Sequence, residues 1–424
     1  MGRTGSDPIQ AALDLHQSGD RDSIPVYATY HWTPQGLTEK FETGAVVYGF
    51  WERLFGCWIS SGDERLDEIL PSWPVFSDPL SGVNGSPVSV LARGKAISDI
   101  KVKPGHRADV YLAEYLNSVP VTVRRLAAPF GRAQWLVLDL CYQQRGFWRF
   151  LHKERTHGRT GVTGLLLRLF MDAGQTGRED RAAFAVRLMT SKRMDLFGEL
   201  IGRTLSGAIL PFLEKLPASL QEDHDKHLLE ALKTGEPEIV SAAVSDIVNE
   251  VFSTFPEPLD RIDAAGLMAQ GVPISRLHYV LSEGMRHLTD RQKKAALHGL
   301  SDIRAPHTLQ WWFARWTDLG YKSRRFPAPP VAATGPLLPI SSRYGLEAEQ
   351  TGMNNGAATY LSEILAGELY LYHWEGPEPA TICLAATSAG DWLFHDAFGI
   401  GQAPLGRDTL TAIVDCLKPD RTSP

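Results

Sequence analysis

Across residues 106–325, apolar residues recur at the three- and four-residue spacing of a helix face. No other feature constrains the fold as strongly. Tyr111, Leu112, Tyr115 and Leu116 make one stripe, and Val162, Leu165, Leu166, Leu169 and Phe170 make another. Met194, Phe197 and Ile201 follow, then Leu205, Ile209, Phe212, Leu213 and Leu216. A longer stripe runs through Ile239, Ala242, Val244, Ile247, Val248 and Phe252. Leu277, Val280, Leu281 and Met285 come next, then Leu309, Trp312, Phe313 and Trp316. Short Pro/Gly breaks separate the stripes and no fixed repeat period joins them. The pattern predicts an all-helical domain of bundled or stacked helices.

The chain on either side has a different character. Residues 1–105 read as an irregular, Trp-rich region in which Trp32, Trp51, Trp58 and Trp73 punctuate short apolar stretches. Residues 45–50 fit either a buried strand or the start of a helix ending near Ile59. Residues 326–341 carry Pro327, Pro329, Pro330, Pro336 and Pro339, which predict an extended, semi-rigid linker. Residues 342–424 then read as a small module: a helix over 357–365 stopped by Gly367, three strands over 369–374, 381–385 and 392–398, and an amphipathic closing helix over 408–417. The expected fold class is therefore α+β, mainly α, with a short antiparallel three-stranded sheet and flanking helices at the end.

Composition removes several classes of function. A formal net charge of −6 gives no global pull toward nucleic acid or an anionic membrane. Cys57, Cys141, Cys383 and Cys416 are scattered in apolar settings without a CxxC pair, which predicts buried thiols in a reducing cytosol and no zinc ribbon. Residues 1–7 lack the apolar core of a secretory signal, and no apolar run approaches the roughly 20 residues of a membrane span. A cytoplasmic chain without a membrane partner, metal or cofactor is the expectation.

The last part of the chain has a recognisable order. Met353, Asn355, Ala357 and Tyr360 are followed by Gly367, the three strand-like runs and the closing helix. This block resembles the C-terminal module of PcfJ-like proteins, a bacterial family named after a conjugative-plasmid product. Upstream, Val119-Pro120 with Gln134-Trp135, Lys192-Arg193 with Leu196, and Phe326-Pro327 before Pro339-Ile340 resemble the family's helical region and its approach to the module. In the family pattern a Cys follows the His or Asn at the Asn355 position; here that Cys is replaced by Gly356. The Asn that relatives carry after the third strand is also absent from residues 399–404. The resemblance implies a protein from a mobile-DNA context that acts as a non-enzymatic accessory or interaction factor with a protein partner. Gly356 rules out a thiolate nucleophile at that position.

Two sets of residues remain as site candidates. Between Arg286 and Arg325 nine cations (Arg286, Arg291, Lys293, Lys294, Arg304, Arg315, Lys322, Arg324 and Arg325) face only Asp290, Asp302 and Asp318. Trp311, Trp312 and Trp316 interleave with them, a combination suited to following a phosphate backbone, although the Trp spacing fits a core stripe better than a stacking platform. The alternative is an enzyme acting on a small molecule or nucleotide where the helical domain meets the C-terminal module, using Glu349, Asn355, Tyr360, His373 and His395 beside Met353. His224 and His227 read as part of an exposed charged helix turn, Thr160 to Gly164 as a simple helix N-cap, and Asp391 and Asp396 as solvent-facing strand ends.

Overall fold

The computed structural model describes the backbone of five strands between residues 29 and 69, residues 74–78, and residues 116–417 apart from 145, 174–177 and 254–260. The chain is α+β and mainly helical, as its apolar periodicity predicts. Its residues divide into two compact units. The first holds Met1–Val119, Val123–Leu281 and Leu300–Leu309; the second holds Pro120–Thr122, Ser282–Gly299 and Gln310–Pro424.

The region expected to be irregular contains β1 (Thr29–Thr33), β2 (Gly36–Phe41), β3 (Gly44–Tyr48), β4 (Gly56–Ser60) and β5 (Leu66–Ile69). They pair in sequence order as an antiparallel meander. The expectation fails because each strand is only four to six residues long, too short for alternation to stand out from the intervening Gly and Pro. Of the two readings for residues 45–50, residues 45–48 lie in strand β3, and 49–50 lie outside the described residues.

Most predicted stripes fall on helices of the first unit, but the stripe from Leu205 to Leu216 forms only a 3-10 turn at Gly207–Ile209 and the single turn Leu210–Leu213. The longer helices are α1 (Val121–Ala127), α2 (Gln134–Gln143), α3 (Phe147–His157), α4 (Thr160–Asp172), α5 (Arg178–Thr190), α6 (Arg193–Ile201), α7 (Glu222–Thr234), α8 (Pro237–Ser253), α9 (Ala264–Ala269) and most of α10 (Ile274–Arg286). Tyr111, Leu112 and Tyr115 lie outside the described residues. Helix α4 is buried along nearly its whole length because the segment at residues 216–218 runs against its first turns. A Cβ on Gly161 or Gly164 would overlap the carbonyl oxygens of Leu216 and Ala218, so only glycine permits this approach. The Thr160 to Gly164 stretch is thus a packing surface; Arg159 precedes the helix without a side-chain cap.

Several buried charges in this unit are paired. Arg168 Nε donates to Asp225 Oδ1 at 2.8 Å and its Nη1 donates to the Ala218 carbonyl at 2.5 Å. Arg132 joins Asp225 at 3.1 Å and Asp172 at 2.7 Å. Arg181 holds Asp139 at 2.5 Å, and Glu154 receives Arg159, Arg193 and the Thr163 hydroxyl. The turn at His224 is exposed at Glu222, Asp223, Lys226 and His227, as expected, but not at its centre. His224 and Asp225 are buried, and His224 lies 3.1 Å from Glu250, because partners distant in sequence draw them inward.

In the second unit α11 (Asp290–His298) opens with a capping box between Thr289 and Gln292, and α12 (Pro306–Lys322) continues from the first unit through its last three turns. The sheet runs β6 (Leu337–Pro339), β7 (Leu369–Trp374), β8 (Ala380–Ala386) and β9 (Trp392–Phe398), all antiparallel neighbours. Between β6 and β7 lie α13 (Arg343–Met353) and α14 (Leu361–Leu365), the latter preceded by a 3-10 turn at Ala357–Tyr360; α15 (Arg407–Leu417) closes the chain.

The three expected strands are present, and a fourth, β6, lies inside the segment expected to be a linker. Three residues at a sheet edge tolerate Pro339 because an edge strand has an unpaired side. The rest of that segment is also tied down. Val331 exchanges two hydrogen bonds with the Tyr372 hydroxyl, at 2.8 and 2.9 Å, and Phe326 stands edge-on to Tyr370. Every residue of β8 is buried, since both faces of the sheet are covered. On one face Tyr370, Tyr372, Trp374, Ile382 and Leu384 pack with Ile413 of α15. The other face carries Thr381 and His373 toward α13.

Candidate functional site

Helix α13 sets up the first cluster. Ser342 caps its start by accepting from Gly345 N at 3.0 Å, and Asn354 ends it in the left-handed region at φ 47°. Glu349 is thereby buried against the sheet at the pair His373–Thr381, residues directly opposite each other on β7 and β8. The Thr381 hydroxyl donates to Glu349 Oε1, and His373 Nδ1 lies 2.8 Å from Glu349 Oε2. Asn355 Nδ2 donates to Thr381 Oγ1 at 2.8 Å, while its Oδ1 accepts from Ala357 N at 2.9 Å. Each polar group has a partner, so the network orders the junction between α13 and the sheet.

Of the enzyme candidates, Glu349, Asn355 and His373 come together, joined by Thr381, which the sequence did not flag. Tyr360 is buried and Met353 and Ala357 pack in the interior. His395 stands at the β-bulge of β9 opposite Cys383 and Leu384. All five candidates belong to the second unit, which also holds Ser282–Gly299 and the chain from Gln310 onward. Asp396, expected in solvent, is only 2% exposed, because the bulge resets the strand's alternation; Asp391 is exposed. At Gly356 an added Cβ would meet Thr359 Oγ1 at 3.5 Å and Gln402 Nε2 at 3.7 Å, both ordinary contacts. Among the described residues no group of three His, Cys, Asp or Glu is placed to hold a metal ion.

The cationic candidates separate into distinct groups. Arg286 lies inside the second unit, where its guanidinium meets Glu283, Glu363 and Glu368 and donates to Ser362 Oγ at 3.0 Å. Ser362 in turn donates to Glu283 at 2.7 Å and lies 3.0 Å from His287 Nε2. Burial, then Arg286, pushes the His287 imidazole below its ordinary pKa. Arg286 is therefore a structural cation, not part of a contact surface. Lys322 pairs with Asp318 at 2.7 Å, and Arg304 belongs to the first unit. Arg291, Lys293, Lys294, Arg315, Arg324 and Arg325 form no ion pair among the described residues, and all but the half-buried Lys293 are exposed.

Helix α12 orients part of this set. The Trp312 ring lies against Gly284, where a Cβ would be 2.6 Å from Cζ3, and its Nε1 donates to the Ala296 carbonyl at 3.1 Å. Gly320 similarly admits His287 Cβ at 3.0 Å from the position a side chain would take. With Trp312, Thr317 and Gly320 inward, the helical period turns Trp311, Ala314, Arg315, Asp318, Leu319 and Lys322 outward, and all six are exposed. Leu309 and Trp312 are buried, as the stripe through Leu309, Trp312, Phe313 and Trp316 predicts, whereas Trp311, outside that stripe, is 79% exposed. No protein-family model, curated protein or solved structure matches the chain.

Proposed function

We propose that the chain is a non-enzymatic accessory protein of PcfJ-like type that contacts nucleic acid through the outward cations of its second unit. The observation that carries this reading is the set Arg291, Lys293, Lys294, Arg315, Arg324 and Arg325, held without carboxylate partners while the neighbouring, half-buried Arg286 is engaged by three glutamates. Unpaired surface cations attract phosphate by counterion release, without regard to base sequence. The mobile-DNA context comes from the PcfJ resemblance. Fluorescence-anisotropy titration with labelled DNA and RNA at low ionic strength tests the proposal. Binding that weakens steeply with salt is expected, and Arg291→Ala with Lys293→Ala and Lys294→Ala should lower affinity similarly for every sequence. Absence of salt-sensitive binding would sink it.

One observation favours an enzyme instead. Glu349 orients Nδ1 of His373, whose side chain is 31% exposed, an arrangement suited to general acid–base work. Burial of Asn355 and Tyr360 weighs against a substrate pocket there. A nucleotide hydrolysis activity lost in His373→Ala would favour this reading over the first.

A further inference from the structure

Trp311 and Tyr344 are the two most exposed large apolar side chains among the described residues, at 79% and 82%. Neither is needed to complete the core, and each has cations nearby. Arg315 follows Trp311 by one helical turn on the same outward face. Arg343 precedes Tyr344, and its guanidinium sits 5.5 Å from the Tyr321 ring centroid, which brings the start of α13 beside the last turn of α12. Lys322 is next to Tyr321 in the chain, with Arg324 and Arg325 just beyond. The outward face from Trp311 to Lys322 extends roughly 16 Å at the helical rise. Its one acid, Asp318, is neutralised by Lys322.

We propose that this surface selects unpaired nucleotides: Trp311 stacks on an exposed base, Tyr344 offers a second stacking ring, and Arg315 with Arg324 and Arg325 holds the phosphates. The inference rests on the nucleic-acid reading above and narrows it to single strands. A duplex presents phosphates to the same cations, but its bases are already stacked on one another and offer no free face to an indole. A single strand offers both, and base–aromatic stacking tolerates any base. The cationic surroundings favour this anionic polymer over a protein that would use Trp311 as an apolar anchor.

The test compares an oligothymidylate with a duplex of equal length, using the full chain, Trp311→Ala, Trp311→Phe, Tyr344→Ala and the double variant Arg324→Ala/Arg325→Ala. Trp311→Ala should weaken single-strand binding about fivefold or more while leaving duplex binding within about twofold. Trp311→Phe, which keeps a ring, should recover most of the loss, and Tyr344→Ala should give a smaller loss of the same kind. The double Arg variant should weaken both ligands. Far-UV circular dichroism and the urea midpoint of Trp311→Ala should match the parent, because the side chain stands in solvent. Equal losses on both ligands, or none on the single strand, would overturn the inference while leaving the phosphate contact standing. If neither ligand binds in a salt-sensitive way, the proposed function fails as well.

Discussion

Arg168 in the first unit and Arg315 in the second are the same residue in opposite situations. Arg168 is 1% exposed and fixed by Asp225 and a backbone carbonyl, while Arg315 is exposed and forms no ion pair. The contrast extends to the units around them. In the first, the buried Arg168 and Arg181 are matched by carboxylates from other helices, so charge serves cohesion. In the second, Arg286 does the same work, but its neighbours on α11 and α12 are left facing water. Charge that the fold has already neutralised cannot also recruit a ligand; charge without a partner can.

The sharpest way to break the contrast is Asp225→Ala. It strands the buried Arg168 guanidinium and should cost about 3–5 kcal/mol, read from the urea midpoint of unfolding. Arg315→Ala should move the same midpoint by no more than about 0.5 kcal/mol. Equal effects would erase the distinction between the two arginines.

Acid should expose a second difference. His278 in the first unit is half-buried, and desolvation pushes it down to about 4 from its ordinary 6.5, with Asp78 opposing and Arg155 reinforcing. Between those values the unfolded chain binds more protons than the folded one. Stability is therefore complete above pH 6.5 and should decline by roughly 1 kcal/mol per pH unit as the pH falls toward 4. His278→Gln should flatten that decline in denaturant titrations at stepped pH.

Within the second unit, Thr381→Val removes the hydroxyl that donates to Glu349 and accepts from Asn355 at nearly unchanged volume. It should cost about 1–3 kcal/mol in thermal or urea unfolding. The smallest effect belongs to Gly356→Cys, which restores the residue expected from the PcfJ resemblance. The space around Gly356 accommodates a Cβ, so stability should stay within about 0.5 kcal/mol. A large loss would show that this turn is packed differently from the pattern it resembles.

What the sequence revealed follows from how local each signal is. Strands 369–374 and 392–398 and the stripes of α4, α8 and α12 were legible because a single element's burial is written in its own periodicity. Strand β6 was not, since Pro336 and Pro339 mark an extended segment but say nothing of the edge it joins. The burial of Asp225 depends on Arg168, 57 residues away, which no local window contains. Thr381 escaped notice for the same reason: its partners Glu349 and Asn355 reach it only through strand register. In the pair Trp311 and Trp312, adjacent residues on a helix point about 100° apart, so one enters the core and the other is turned out.

The salt dependence of nucleic-acid binding by the intact chain tests the central claim most directly. Association constants for an oligothymidylate, measured from low to moderate salt, should fall linearly on logarithmic axes. Arg315→Ala combined with Arg324→Ala and Arg325→Ala should make that slope shallower by about two to three. A slope that is the same in the parent and the triple variant would contradict the account, because the outward cations of the second unit would then contribute nothing to the contact.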